Sequence, residues 1–301
     1  MRYFAHGKLL LTAEYAVLGG ATALAVPTKL GQSLEVIQIS TPEIQWKSID
    51  DNGAVWYENT FDNDSFTPNK EDVIGKRLQA LFVEIASQNP KIWRTSDGFS
   101  FTTTLDFNRN WGLGSSSTLI SLLAQWAAIN PYLLLQEVFG GSGYDVACAT
   151  AQGPIHYTRT NSIKPIIAPI DFSPNFKDHL FFVYLNRKQD SQKAVAQFNQ
   201  EKLTSAKLLE ISNLTTAFST AKNTKEFQEF MHRHEKKIGN LLGVTHVQRQ
   251  LFLDYNGTIK SLGAWGGDFV LACGDTTTPA YFAEKGYKIC FAYDDIIYDG
   301  S

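Results

Sequence analysis

The chain has only three cysteines in 301 residues, Cys148, Cys273 and Cys290, and no two of them form a CxxC pair. A disulfide framework or a zinc cluster is therefore not expected, and reduced thiols packed in a core are. No apolar run approaches the roughly 20 residues of a membrane span. Lys8 and Glu14 interrupt the apolar stretch near the start, so residues 1–20 do not read as a secretory signal. A surplus of positive charge is also missing. The formal net charge is −3, which removes the global basic field that attracts nucleic acid or anionic lipid. The expectation is a cytoplasmic protein, monomer or homodimer, whose partner is a small molecule and neither nucleic acid nor membrane. Internal repeats and low-complexity tracts are absent too. What is present is ordinary: 44% hydrophobic and 19% charged residues, enough for a sizeable core and for two domains.

The first half mixes periods. Residues 31–40, 43–49 and 54–61 are short β-branched or aromatic runs between turn-forming residues, and read as antiparallel strands. Ile74, Leu78, Leu81, Phe82 and Ile85 fall at helical spacing and predict a helix over 71–87. Phe99, Phe101, Thr103, Leu105 and Phe107 alternate as in a strand with one apolar face. Leu119, Ile120, Leu122, Leu123 and Trp126 mark a buried helix ending near Asn130. Further strands are expected at 154–159 and 179–186. Helical patterns dominate 190–256, and a β-α-β ending follows. A boundary near 160–178 divides the chain into domains 1–165 and 166–301.

Three glycine-rich segments carry chemistry. "WGLGSSST" joins a strand to a helix. Glycine permits close backbone approach, the helix start has unpartnered N–H groups, and serine hydroxyls can meet phosphate or a metal. The segment reads either as a phosphate cradle or as a tight turn with a serine cap. It is neither a Walker loop nor a dinucleotide fingerprint. "GGSGYDVACA" puts Asp145 at a helix start, either to accept a substrate proton or simply to favour the helix. "KSLGAWGGDFVLAC" is a third loop, for ligand approach or for a bulged turn. Lys8 and Glu14 lie in apolar surroundings, where charged groups are paired or functional. His232 and His234, two residues apart on a helix, face differently; they suit a polar face better than a shared metal.

Taken in order, "GKLLLTAEYAVLGG", "GLGSSST", "GSGYDVACA" and "GAWGGDFVLA" resemble the four motifs of the GHMP kinases, those of mevalonate and phosphomevalonate kinases above all. The resemblance covers nearly the whole chain. It implies an α+β fold of two domains: an N-terminal mixed α/β domain with an atypical phosphate loop and a C-terminal ferredoxin-like domain, with the active site in the cleft between them. It also implies ATP, Mg²⁺ and transfer of the γ-phosphoryl group to mevalonate or phosphomevalonate. On the matching positions, Trp111, Gly112, Leu113, Gly114, Ser115, Ser116 and Ser117 would bind nucleotide, and Ser116 would also hold the metal. Lys8 and Asp145 would be catalytic, with Lys8 keeping Asp145 ionised. Glu14, Gly143, Tyr144, Gly266 and Gly267 would meet the substrate.

The match has departures. Ala13 stands where the family motif has glycine, His6 where it has proline, and Trp265 interrupts the third glycine run. The family's metal-binding glutamate falls in register with Leu134; Glu137 and Glu14 are the acids that could replace it. Lys29, Arg109, Arg187, Lys188 and Lys193 are the cations available to a phosphorylated acceptor. The alternatives are a GHMP-fold protein that binds a nucleotide or metabolite without catalysis, and a diphosphomevalonate decarboxylase.

Overall fold

The computed structural model describes residues 1–93, 97–189 and 191–300. The elements run β1 (Arg2–Leu10), β2 (Ala23–Ile39), β3 (Glu43–Ile49), β4 (Val55–Asp62), α1 (Val73–Gln88), β5 (Gly98–Leu105), α2 (Ser115–Ala127), α3 (Pro131–Val138), α4 (Tyr144–Ala149), β6 (Ile155–Thr158) and β7 (Ile166–Pro169). They continue with β8 (Leu180–Tyr184), α5 (Ser191–Gln197), α6 (Ser205–Ser219), α7 (Thr224–Leu242), α8 (Val247–Leu251), β9 (Thr258–Ser261), β10 (Phe269–Cys273), α9 (Thr278–Glu284), β11 (Cys290–Ala292) and α10 (Tyr293–Ile296). No helix among the described residues is long and apolar enough to cross a membrane. Two compact units form. The first comprises residues 1–7, 30–109 and 114–150, and the second residues 8–29, 110–113 and 151–301.

In the first unit, strands β4, β3, β5 and β2 lie side by side in that order. The expected antiparallel run is only partly right. β3 pairs antiparallel with β4, but β5 inserts between β3 and β2 and runs parallel to β3. A parallel neighbour needs a crossover, and α1 lies in the connection that supplies it. The side chain of Asp72 caps α1 by accepting the Gly75 N–H at 2.7 Å, which sets where the helix starts. Its apolar stripe is the expected one: Leu78, Leu81, Phe82 and Ile85 are buried. The core is aromatic. Phe101 packs between Trp46 and Trp126, with ring centroids 5.7 and 4.8 Å away, and Phe82 and Phe99 complete the cluster.

In the second unit, β8, β9, β10 and β11 form an antiparallel sheet in the order β11-β8-β10-β9. With helices between β8 and β9 and between β10 and β11, this is the βαββαβ ferredoxin-like arrangement. Phe181, Val183, Ile259, Val270, Ala272, Phe252 and Phe282 build its core. The first residues of β2 pair with β6, and β6 with β7. Cys148 and Cys273 are buried, and all three cysteines are free thiols, as expected. The polar-face reading of α7 is corrected at His234. His232 is exposed, whereas His234 and Glu235 lie on the buried face with Met231 and Ile238. Helix period alone places His234 there; the sequence hides the charged partners that make burial tolerable.

Candidate active site

The glycine–serine segment is built as a turn into a helix. Gly112 and Gly114 have φ of 69° and 91°, left-handed values that a side chain disfavours. Gly114 is the N-cap of α2 and offers no side-chain cap, so the first-turn N–H groups of α2 lack intrahelical acceptors. Ser115 is half-buried and Ser116 exposed. Ser117 is buried, and its hydroxyl donates to the Gly114 carbonyl at 2.7 Å. Thr118 ties the same turn to β2 through Gln32 Oε1 at 2.6 Å. Within this unit α2 packs on α4. Gly143, with φ 86°, precedes α4, and half-buried Asp145 sits in its first turn. Asp145 Oδ1 accepts the Val146 N–H at 3.0 Å. Tyr144 is half-buried beside it. Burial, with Cys148 and Asp145 adding, pushes the Tyr132 phenol pKa up.

In the second unit, residues 110–113 are held from several sides. Lys8 donates its backbone N–H to the Leu113 carbonyl at 3.0 Å and its Nζ to the Gly112 carbonyl at 2.9 Å. Tyr184 donates to the Asn110 carbonyl at 3.0 Å. Trp111 packs edge-on against Phe291 and Phe269, and Leu113 is fully buried. The third glycine-rich loop reaches the same place: a methyl group on Gly112 would come within 2.4 Å of the Asp268 carboxylate. Residues 8, 112 and 268, distant in sequence, therefore share one site. Gly267 is buried close to the Arg187 carbonyl, and Gly266 is exposed with φ 78°.

The two departures from motif glycines keep a glycine backbone. Ala13 has φ 62° and Trp265 has φ 59°. Residues other than glycine at such angles are uncommon and strained, which accounts for the heavy bracing of both turns. The Ala13 N–H donates to His234 Nε2 at 2.8 Å, and Tyr15, at φ 61°, donates its hydroxyl to the Ala264 carbonyl at 2.7 Å. Between them Glu14 is fully buried and paired with Lys260, also fully buried, with His234 Nε2 3.6 Å away. Glu235 holds the Ser261 N–H and hydroxyl at 3.0 and 2.9 Å. Desolvation raises the Glu14 pKa to about 7 against the pull of Lys260, and lowers that of His234 well below its usual value. Glu14 thus lies in a sealed ion pair. Leu134 is fully buried in the apolar core and Glu137 is exposed on α3.

A cavity of about 630 Å³ opens in the second unit, lined among others by Tyr15, Arg187, Gln189, Lys202, Trp265 and Gly266. No carboxylate lines it among the described residues. Of the other cations, Lys29 donates to the Asp294 carbonyl and Arg109 lies over the Trp56 ring. Lys188 and Lys193 are exposed. Sequence reasoning missed Asp268, Lys260, Glu235 and Lys202. A charged residue inside an apolar run marks Lys260 and Asp268, but Glu14 and Gly112, which they meet, are distant in sequence.

No protein-family model matches the chain, and no curated protein does. Solved structures do. Methanococcus jannaschii mevalonate kinase matches with a TM-score of 0.70 at 17% identity, over 97% of this chain and 96% of that one. Streptococcus pneumoniae phosphomevalonate kinase, solved with phosphomevalonate and AMPPNP, matches with 0.69 at 17% identity, over 97% and 99%. Lactococcus lactis galactokinase, solved with galactose, matches with 0.66 at 14% identity, over 100% and 93%. Along its whole length, the chain has the GHMP kinase fold.

Proposed function

We propose that the chain is an ATP-dependent kinase that transfers the γ-phosphoryl group to a small acidic acceptor of the mevalonate or phosphomevalonate type. The observation that carries this reading is the loop at α2: two left-handed glycines, an uncapped helix start, an exposed Ser116 and the Lys8 ammonium on Gly112. Phosphoryl transfer depends mainly on positioning and on neutralising charge. The N–H groups of 112–117 bind phosphate oxygens at the positive end of the helix dipole. Trp111 and Leu113 fix the loop by packing, and Ser117 by its bond to Gly114. The Ser116 hydroxyl is an exposed oxygen donor suited to Mg²⁺ alongside phosphate oxygens and water. Bound Mg²⁺ supplies charge neutralisation. Glu14 and Glu137 are not assigned to it, one being sealed and the other exposed on α3. Lys8 steadies the transferred phosphoryl group, and Asp145 orients the acceptor oxygen and, where that oxygen is a hydroxyl, takes its proton.

The cavity is assigned to the acceptor. Arg187 and Lys202 in its lining, with no carboxylate among the described residues, favour an anion over a neutral sugar. Gly266 belongs to its wall, Gly267 brings the third loop against Arg187, and Glu14 supports the turn that presents Tyr15. Gly143 and Tyr144 are assigned to the acceptor through the turn that aims Asp145. Leu134 in place of an acid favours a second reading, nucleotide binding without transfer. ADP release measured with mevalonate, phosphomevalonate, diphosphomevalonate, homoserine and galactose separates them. The kinase reading expects turnover with an acidic acceptor and none with galactose; ADP release that no acceptor stimulates overturns it. Ser116→Ala is expected to raise KM for MgATP about ten-fold with acceptor KM unchanged. An unaltered MgATP KM removes Ser116 from the site.

A further inference from the structure

Asp268 lies against Gly112, and the mechanism above leaves it unused. It is 8% exposed and has φ 51°, a left-handed conformation that aspartate tolerates better than most residues. Its backbone is pinned on both sides: the N–H donates to the Arg187 carbonyl at 2.6 Å, and the carbonyl accepts the Leu185 N–H at 2.8 Å. Oδ1 accepts the Gln189 N–H at 3.0 Å. The carboxylate rests against Gly112, where a methyl group would lie 2.4 Å from both Cγ and Oδ2. Only glycine at 112 permits that approach. Burial raises the Asp268 carboxyl pKa, while the Gln189 amide, Lys8 and Lys188 draw it back down.

The Gly112 peptide thus carries a cation on its carbonyl and an anion against its Cα. An acid at the edge of an anion-binding loop is unfavourable for the bound nucleotide. It repels the phosphates, and burial adds a desolvation cost. Lys8 is the charge that offsets it. Resting on the kinase reading above, we propose that Asp268 is a positioning residue for phosphoryl transfer. Its carboxylate braces Gly112 and holds the Lys8 ammonium at the loop, ready for the developing charge on the transferred group. A wholly structural role would come from the Gln189 bond alone.

The charge and the bond are separable. Asp268→Asn keeps the oxygen that accepts from Gln189 and removes the negative charge. ATP affinity, read by calorimetric titration of the full chain, is expected to tighten about three-fold, because a repulsion is gone. With the acceptor, kcat is expected to fall about ten-fold, because the carboxylate that draws Lys8 to the Gly112 carbonyl has lost its charge. If Asp268→Asn does not fold, Asp268→Gly serves, since glycine accepts φ 51° without strain, and the same opposite movement is expected. In a cycle with Lys8→Met, the double variant is expected to be no slower than Lys8→Met alone. Unchanged kcat in the variants, or kcat and ATP affinity falling together, overturns the proposal while the kinase reading stands. A wild-type chain that neither binds ATP nor turns over with any acceptor overturns both.

Discussion

Asp145→Asn lowers kcat about 10³-fold with the true acceptor and leaves ATP affinity within about two-fold; this is the largest expected effect on activity. Loss of a general base costs typically 10²–10⁴-fold. Asparagine has the same shape, and its oxygen can still accept the Val146 N–H, so the start of α4 is kept. The stability change is small, because an acid in the first turn of a helix contributes about 0.3–1 kcal/mol. Asp145 is half-buried in a first turn that begins after left-handed Gly143. Rapid-mix single-turnover measurement checks the result. Near-full turnover in Asp145→Asn rules out the base assignment, and a matching loss of ATP affinity assigns Asp145 to nucleotide binding.

The largest effect on stability belongs to the sealed pair. At pH 8, where Glu14 is ionised, Glu14→Gln is expected to destabilise the fold by about 3–5 kcal/mol, because it strands the Lys260 ammonium without its paired carboxylate. Both side chains are fully buried; Lys260 also donates to the Ser261 carbonyl at 2.7 Å, and the Glu235 carboxylate lies within its electrostatic reach. That is a large share of the roughly 5–15 kcal/mol that holds a domain folded. Glu14→Gln combined with Lys260→Met removes both charges and is expected to recover most of the loss. Urea unfolding of the three proteins checks this, and a double variant no more stable than Glu14→Gln alone counts against a charge penalty.

The same network sets a pH dependence. Glu14 is raised from 4.5 to about 7, mainly by desolvation. Between those values the native chain keeps a proton that the unfolded chain has released. The associated stability is present below about pH 4.5 and lost as pH rises through 7. Glu235, raised by burial, has the same sign. His234 is lowered, so below 6.5 the unfolded chain binds the extra proton and stability rises with pH. The contributions oppose one another at pH 5–6.5. Above that range Glu14 acts without His234, and stability is expected to fall between about pH 6.5 and 7.5. Urea midpoints that rise across that window refute the assignment.

Much of the local geometry of the candidate site was legible because it depends on neighbouring residues. The small residues at 112–117 are needed where they stand: left-handed turns at Gly112 and Gly114 require glycine, and a helix start exposes N–H groups whatever surrounds it. The α1 stripe and the apolar face of β5 followed from period alone. Pairing did not. β5 running parallel to β3 depends on how the α1 connection returns, and no local pattern encodes that. Nor could substitution at a motif position be weighed by residue type. Ala13 and Trp265 look like losses in sequence, yet both hold the backbone angle of the glycine they replace.

The sequence by itself determined the order of the four motifs, the left-handed turns, the amphipathic faces and the α+β class, because each depends on residues within a few turns of one another. Only the tertiary structure decided that Lys8 and Asp268 both meet Gly112, that Glu14 is sealed against Lys260 and His234, and that Arg187 and Lys202 share a cavity. The members of the Glu14–Lys260 pair lie 246 residues apart. Their energies come from burial and proximity, which exist only once the sheets and helices have packed.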